Sequence, residues 1–160
     1  GILGNYYFSN KHLLAVSFFL NSKSKQQHHT YIEGQYIHKE LVLNYNRVSL
    51  SYQRNFLPKN KFSPTRYTVS TGAYMGFIKK AETFYNGTPV DVTKNYSEQD
   101  YGVTTAIGME LLNGNFVIGY GIKGQAGLNN IFEGDGKLPS RFDNTKLYSI
   151  GGYVCLKYRF

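Results

Sequence analysis

Apolar and polar side chains alternate most regularly near the carboxy terminus, between residues 146 and 160. The even positions from Tyr148 to Phe160 are apolar except for Gly152, and aromatic residues stand at both ends. The odd positions are small, polar or cationic and include Lys157 and Arg159. A period of two predicts a strand, and one apolar face opposite one polar face is typical of a barrel wall between hydrocarbon and a polar interior. We therefore predict that this strand closes an outer-membrane barrel, with Tyr158 and Phe160 as its terminal signal.

The same alternation predicts earlier strands, which span residues 1–8, 12–20, 36–56, 66–78, 101–111 and 116–128. Within 36–56 the apolar positions change from odd to even around Asn46-Arg47. Either a β-bulge shifts the parity inside one strand, or Asn46-Arg47 is a turn between two short strands. A single strand keeps the long loops on one side of the barrel, so we favour it. Those loops are residues 21–35, 79–100 and 129–145.

The other side would hold three short connections, at Ser9-Asn10, 57–65 and Asn113-Gly114, and the last is a hairpin signal of the primed type. This count gives about seven strands, whereas bacterial single-chain barrels have an even number. We therefore expect one domain, residues 1–160, that belongs to an up-and-down antiparallel transmembrane β-barrel of about eight strands whose first strand is absent from this chain. The start at Gly1, without Met or an apolar leader, is typical of a trimmed product.

Composition agrees with a β-protein, because the chain has 15 Tyr, 11 Phe and 17 Gly. It contains no run of about 18 apolar residues, so any membrane span must be made of strands. The formal net charge is +8, but the cations are scattered, and Lys79-Lys80 is the only adjacent pair. We therefore exclude nucleic acid as a partner and expect anionic head groups, such as those of outer-membrane lipid and lipopolysaccharide.

Two segments resemble a known family. Residues 120–131, followed by a Gly- and Asp-containing loop and the ending Tyr158-Arg159-Phe160, resemble the last hairpin of the small outer-membrane β-barrels of Bacteroidota, called the PorT-like or porin family. The segment 71–77, with its Gly-x-Tyr-x-Gly pattern, is similar to a central strand of that family. The resemblance implies a barrel in the bacterial outer membrane. It also implies a link to secretion and gliding machinery, since PorT is associated with both.

Candidate chemistry is sparse. The histidines His12, His28, His29 and His38 form no spacing that selects a catalytic set or a metal site. The acidic loop around Glu133 and Asp135, with Asp143 beyond, lacks the alternation of a twelve-residue calcium loop and is interpreted as a solvated turn. We therefore expect no enzyme activity, no cofactor and no metal. The single Cys155 is interpreted as a buried space-filling residue.

The alternation along the strands places several polar and charged side chains on the inward face. Glu110 lies on one strand, Lys123 and Gln125 on the next, and Lys157 and Arg159 on the last. A barrel of about eight strands is just wide enough for side chains to fill. We predict an internal ionic network in which Glu110 pairs with Lys123 or Arg159, unless these groups lie near the barrel ends and meet water.

These patterns favour a non-enzymatic component of a cell-envelope assembly that binds other envelope proteins through its loops or its lipid-facing surface. Two alternatives stay open at this point. One is a soluble ligand-binding barrel of the lipocalin type, which would place apolar residues inside. The other is a lipid-modifying barrel enzyme that uses His12 or His38.

Overall fold

The fold comes from a computed structural model, which describes residues 1–32, 35–58, 63–85, 87–133 and 146–158. For residues 26–32, 35–39 and 85 it describes the backbone alone. The predicted signal residue Phe160 and the predicted network residue Arg159 lie outside the described residues. No helix in the described ranges is long and apolar enough to cross a membrane.

The described chain is an antiparallel, up-and-down β-sheet. Its strands are β1 (Ile2–Ser9), β2 (His12–Ile32), β3 (Gln35–Phe56), β4 (Thr65–Tyr85), β5 (Thr88–Asp91), β6 (Gln99–Asn113), β7 (Phe116–Gly127) and β8 (Tyr148–Tyr158). Their order in the sheet is β1-β2-β3-β4-β6-β7-β8, and the short β5 pairs only with β4. A short 3-10 helix, Thr93–Asn95, joins β5 to β6. The predicted all-β, up-and-down class and the seven long strands are therefore confirmed for the described ranges.

The two faces of the sheet differ in chemistry. Large apolar side chains project from the outer face of every long strand, for example Leu50 on β3, Ile107 on β6 and Ile122 on β7. Inward positions on the same strands carry buried polar or charged side chains, such as Gln53 and Glu110. Because neighbouring strand residues point to opposite faces, the period of two in the sequence becomes this separation of apolar and polar surfaces.

Residues 35–56 form the single strand that we favoured, but the predicted explanation by a bulge in this strand is wrong. Odd positions of β3 face inward along its described length, from Leu41 to Asn55. The bulges lie in the neighbouring strands: the register shifts between Phe19 and Ser22 in β2, and Lys79 is the extra residue in β4. The apolar phase changes along β3 because the interior itself changes, from apolar beside Leu41 to polar beside Asn55.

The predicted long loop over residues 21–35 is mostly strand. β2 and β3 continue their pairing to Ile32 and Gln35, and β4 pairs with β3 as far as Tyr85. Polar residues such as Lys23 and Gln26 were interpreted as loop formers, but cross-strand hydrogen bonds hold them in a ladder. The region predicted as loop 79–100 likewise contains the end of β4, all of β5 and the 3-10 helix.

The turn between β1 and β2 is Asn10-Lys11, one residue beyond the predicted Ser9-Asn10, because Ser9 pairs with His12. Part of the predicted connection 57–65 lies outside the described residues. Gly114 and Asn115 form a two-residue hairpin loop between the paired residues Asn113 and Phe116. Gly114 has φ +58°, a left-handed conformation that a primed turn requires and that glycine adopts at low cost. This φ agrees with the predicted primed type, but the loop lies one residue beyond the predicted pair Asn113-Gly114, because Asn113 still pairs with Phe116.

The sheet curls so that distant strands meet across its inner face. The Arg66 side chain on β4 donates a hydrogen bond to the Tyr7 hydroxyl on β1 at 3.4 Å. The Lys157 ammonium on β8 lies 2.6 Å from the Glu110 carboxylate on β6. The first and last strands, β1 and β8, do not pair within the described ranges, so the sheet does not close into a barrel.

Gly72 is required where β4 packs against β3. A Cβ atom at this position would lie 2.5 Å from the Ser51 Cα and closer still to the Leu50 carbonyl oxygen. Because both neighbours are backbone atoms, we expect Gly72→Ala to lower the free energy of unfolding by about 1–3 kcal/mol. Gly4→Ala is the matched control, since a Cβ there meets no atom within 4 Å. Denaturant unfolding followed by circular dichroism measures both; equal effects would contradict the packing of β4 on β3.

Candidate functional site

The curled sheet encloses its most strongly ionic cluster near the short-turn end. Glu110 is 3% exposed and accepts from two cations. Its Oε1 lies 2.6 Å from the Lys157 Nζ, and its Oε2 lies 2.5 Å from the Arg66 side chain. Gln53 donates to the same carboxylate at 3.2 Å and to the Asn55 side-chain oxygen at 2.8 Å. These five residues, which we call the basal cluster, join β3, β4, β6 and β8.

The basal cluster contains two of the predicted network residues, Glu110 and Lys157. The predicted pairing of Glu110 with Lys123 is wrong, because Lys123 is aligned with Ala106, four residues along β6 from Glu110. At about 3.4 Å per residue, four residues put these side chains more than 10 Å apart along the strand. Gln125 lies further still towards the long connections. Neither belongs to the basal cluster.

A second charged group lies halfway along the interior. The Arg47 guanidinium stacks on the Tyr45 and Tyr74 rings, at 4.7 and 4.3 Å from their centroids. It also donates to the Gln125 side-chain oxygen and lies 4.0 Å from the Asp100 carboxylate. These five side chains tie β3, β4, β6 and β7 together across the interior. Gln125 is therefore part of an internal polar contact, with a partner that the sequence did not suggest.

The long-connection end is filled by apolar side chains. Ile131 and Ala81 are fully buried there, and the Tyr96 and Phe132 rings pack edge to face at 5.6 Å. We call this group the apical cap; its members are Leu41, Leu43, Tyr45, Ile78, Ala81, Tyr96, Ile131, Phe132 and Leu147. The connections after β5 and β7 therefore fold back into the interior and close this end.

Between the basal cluster and the apical cap lies a cavity of about 350 Å³. Small side chains line much of it, including Ala15, Ser51 and Ser70. Lys123 enters it from β7 and places its ammonium 5.1 Å from the centroid of the Phe19 ring on β2. Residues of both unpaired edge strands, β1 and β8, also line this cavity, so it lies behind the gap between them.

The alternation along β4 could have identified Arg66 as an inward residue. Arg66 occupies the face of β4 opposite Tyr67, Val69 and the other apolar residues. Arg47, Gln53 and Asn55 are buried on the face of β3 opposite its even apolar positions, so the same alternation could have identified them. Asp100 stood in a segment predicted as loop. No sequence pattern predicts the apical cap, because its loop residues come together only in the folded chain.

The candidate catalytic and metal-binding residues do not converge. The described residues contain no group of three or more His, Cys, Asp or Glu that could hold a metal ion. His12 contacts Tyr52 through a ring-nitrogen to hydroxyl hydrogen bond near the short-turn end. The side chains of His28, His29 and His38 lie outside the described residues, as do Asp135 and Asp143. Tyr158 packs its ring against Phe116 at 5.2 Å, beside the Asn113-Gly114 turn.

The basal cluster depends on the charge of Glu110. Glu110→Gln keeps the shape but leaves Arg66 and Lys157 buried without a carboxylate, so we expect a loss of about 3–5 kcal/mol in unfolding free energy. Glu82→Gln is the matched control: its partner Lys80 lies 2.7 Å away but is half exposed, and we expect little change in the free energy of unfolding. Urea titration of the refolded proteins measures both. Similar small losses would show that water reaches Glu110.

The apical cap predicts an unusual tyrosine titration. Burial raises the pKa of Tyr96 to about 12. Because the folded pKa is raised, the stabilising contribution of the neutral phenol is complete below about pH 10 and is lost as the pH rises through about 12. The difference in phenolate absorbance between the wild-type protein and Tyr96→Phe isolates this group from the other tyrosines. A midpoint near pH 10 would contradict a buried Tyr96.

Comparison of the chain with protein-family models, with curated proteins and with solved structures found no match. The resemblance to PorT-like barrels therefore stays a prediction.

Proposed function

We propose that this chain is a non-enzymatic integral protein of the bacterial outer membrane and serves as a structural or accessory component of a cell-envelope assembly. The observation that carries the proposal is the inverted distribution of polarity. Outer-face residues are large and apolar, as at Ile107 with 67% exposure and Ile122 with 60%. The buried interior instead holds Arg47, Arg66 and Glu110. In water such an outer face would be a large exposed apolar surface, whereas in a bilayer it meets hydrocarbon.

Aromatic residues on the outer face support a membrane position. Phe56, Tyr67, Phe116 and Tyr158 stand at strand ends beside the short connections, and each is more than 40% exposed. At the other side of the apolar band, the exposed aromatics are Phe77, Tyr101 and Tyr148. Two such belts are typical of transmembrane barrels, in which aromatic rings occupy the interfaces between hydrocarbon and water.

The same distribution disfavours a lipocalin-type barrel, which would hold an apolar ligand in an apolar interior. Here the middle of the interior is lined by Ser51, Ser70 and Lys123, and the apolar cap at one end is filled by its own side chains. An enzyme that modifies lipids has little support either. His12 contacts the Tyr52 hydroxyl, and no serine is among its hydrogen-bond partners in the described residues.

The filled ends of the interior support a structural role over general diffusion. A solute moving along the axis would meet the apical cap at one end and the basal cluster at the other. Opening the basal cluster requires separating Glu110 from Arg66 and Lys157, which costs several kcal/mol. We therefore assign function to the outer surfaces of the protein rather than to a pore.

The long strands supply a surface for partners. β3 has 22 residues, about twice the 9–11 that a tilted strand needs to cross a bilayer. The paired ends of β2, β3 and β4 would therefore project from the membrane as a β-sheet extension, on which Lys23 and Lys79 are exposed. Cations at that level favour contact with the anionic groups of lipopolysaccharide, and the extension offers a rigid docking surface for envelope proteins.

A charge on the outer face distinguishes a membrane protein from a soluble one. In lipid vesicles we expect Ile107→Lys to reduce folding stability by about 2–4 kcal/mol, because the ammonium must enter hydrocarbon near mid-strand. Thr88→Lys, on the exposed strand β5, is the matched control and should have little effect. Unfolding in vesicles and membrane flotation after an alkaline wash measure both variants.

A soluble protein would give the opposite result. Ile107→Lys would then leave stability unchanged and improve solubility, and the wild-type chain would stay in buffer without detergent. Either outcome would overturn the proposed membrane location.

A further inference from the structure

The unpaired edges β1 and β8 run in the same direction. Seven strands follow one another in the sheet, and each pair is antiparallel, so the first and the seventh are parallel. Pairing β1 directly with β8 would put one parallel ladder into an otherwise antiparallel sheet. One additional strand that runs opposite to both edges would pair antiparallel with each of them.

Both edges expose large apolar side chains, and on β1 Ile2 is 73% exposed. Val154 and Leu156 on β8 are 80% and 71% exposed, whereas Ile118 on the interior strand β7 is 47% exposed. The inward Ser149 and Gly151 on β8 are exposed as well. In hydrocarbon the free N–H and C=O groups of such edges would cost several kcal/mol each. The proposed membrane location therefore makes an occupant of the gap necessary.

The positive charge behind the gap between β1 and β8 restricts which molecule can fill that gap. Lys123 reaches across the inside of the gap to Phe19 and has no carboxylate partner among the described residues. The described interior contains the cations Arg47, Arg66, Lys123 and Lys157 but only the anions Asp100 and Glu110. An inward acidic side chain from an added strand would offset this excess.

A second copy of the chain fits poorly. Two copies with the same orientation across the membrane would bring together edges that point the same way, whichever of β1 and β8 meet. A lipid molecule could cover the apolar side chains but could not satisfy rows of backbone donors and acceptors.

We propose that the gap between β1 and β8 binds one β-strand supplied by a further polypeptide segment, which runs antiparallel to both edges, turns alternate apolar side chains outward and places an acidic side chain inward towards Lys123. This proposal rests on the membrane location above and defines the partner of the unpaired edges.

The test uses the 160-residue chain refolded in detergent and a synthetic peptide of 11 residues, the length of β8. The peptide alternates Leu, Val or Tyr with Ser or Gly, carries Glu at its central inward position and has one Trp on the outer face. The chain has no Trp, so peptide fluorescence reports binding. We expect the Glu peptide to bind about tenfold more tightly than the same peptide with Lys.

Protein variants identify the inward cation. Lys123→Met should remove the preference for the Glu peptide, whereas Lys94→Met, at an exposed position in the 3-10 helix, should retain it. Absence of binding by both peptides would overturn the proposal. So would a Glu preference that survives in Lys123→Met.

Direction is tested by disulfide formation with Cys155, the single cysteine, which lies on β8. Peptides with Cys at successive inward positions should give one preferred partner. Moving the protein cysteine to position 151, with Cys155→Ser and Gly151→Cys, should shift that partner by about four residues towards the peptide carboxy terminus. A shift towards the amino terminus would indicate parallel pairing and overturn the proposal.

A dominant disulfide between two Cys155 residues would assign the edge to a second copy and overturn the proposal too. Flotation of the unmodified chain with vesicles separates the two hypotheses. If the chain floats but binds no peptide strand, only the strand proposal fails; if it does not float, the membrane function fails first.

Discussion

Backbone hydrogen bonding is the constraint on which the rest of this structure depends. Each long strand between the edge strands β1 and β8 is paired on both sides, and that ladder fixes which side chain points to which face. Once Glu110 on β6 is aligned with Arg66 on β4, the two are obliged to meet on the inner side. The same register obliges Ile107 and Val69 to stand together on the outer side. The register of the strands therefore determines both which side chains meet and which face of the sheet is polar.

The interior shows how a narrow rolled sheet is filled without an apolar core along its whole length. Near the short turns the space is occupied by Glu110 and the two cations that it pairs with, Arg66 and Lys157. Near the long connections it is occupied by apolar side chains from loops and strands around Ile131. Between them, small residues such as Ala15 and Ser70 leave a cavity into which Lys123 projects behind the gap between the edges. The filled ends make the outer surface and the edges the parts available for interaction.

Strand positions and facing were predictable from the sequence because side-chain alternation is a local property. The last strand illustrates this: its predicted even, apolar face is the outer face, with Val154 80% exposed. The length of β2 was not predictable, since residues such as Ser24 and Gln26 have little strand propensity and are held by pairing with β3. The partners of Glu110 depend on register between strands, which alternation alone does not fix. The sequence could therefore predict only that these side chains face inward. It suggested Lys123 as a partner of Glu110, which was wrong, and it did not suggest Arg66.

The central claim is that the outer face of this sheet lies against hydrocarbon and the inner face does not. Two adjacent positions in β4 test it directly, because Val69 projects outward and Ser70 lines the internal cavity. The chain has no Trp, so Val69→Trp and Ser70→Trp each provide a single fluorophore. In vesicles that contain brominated lipid, we expect strong quenching of the indole at position 69 and weak quenching at position 70. Equal quenching at the two positions, or none at position 69, would contradict the account.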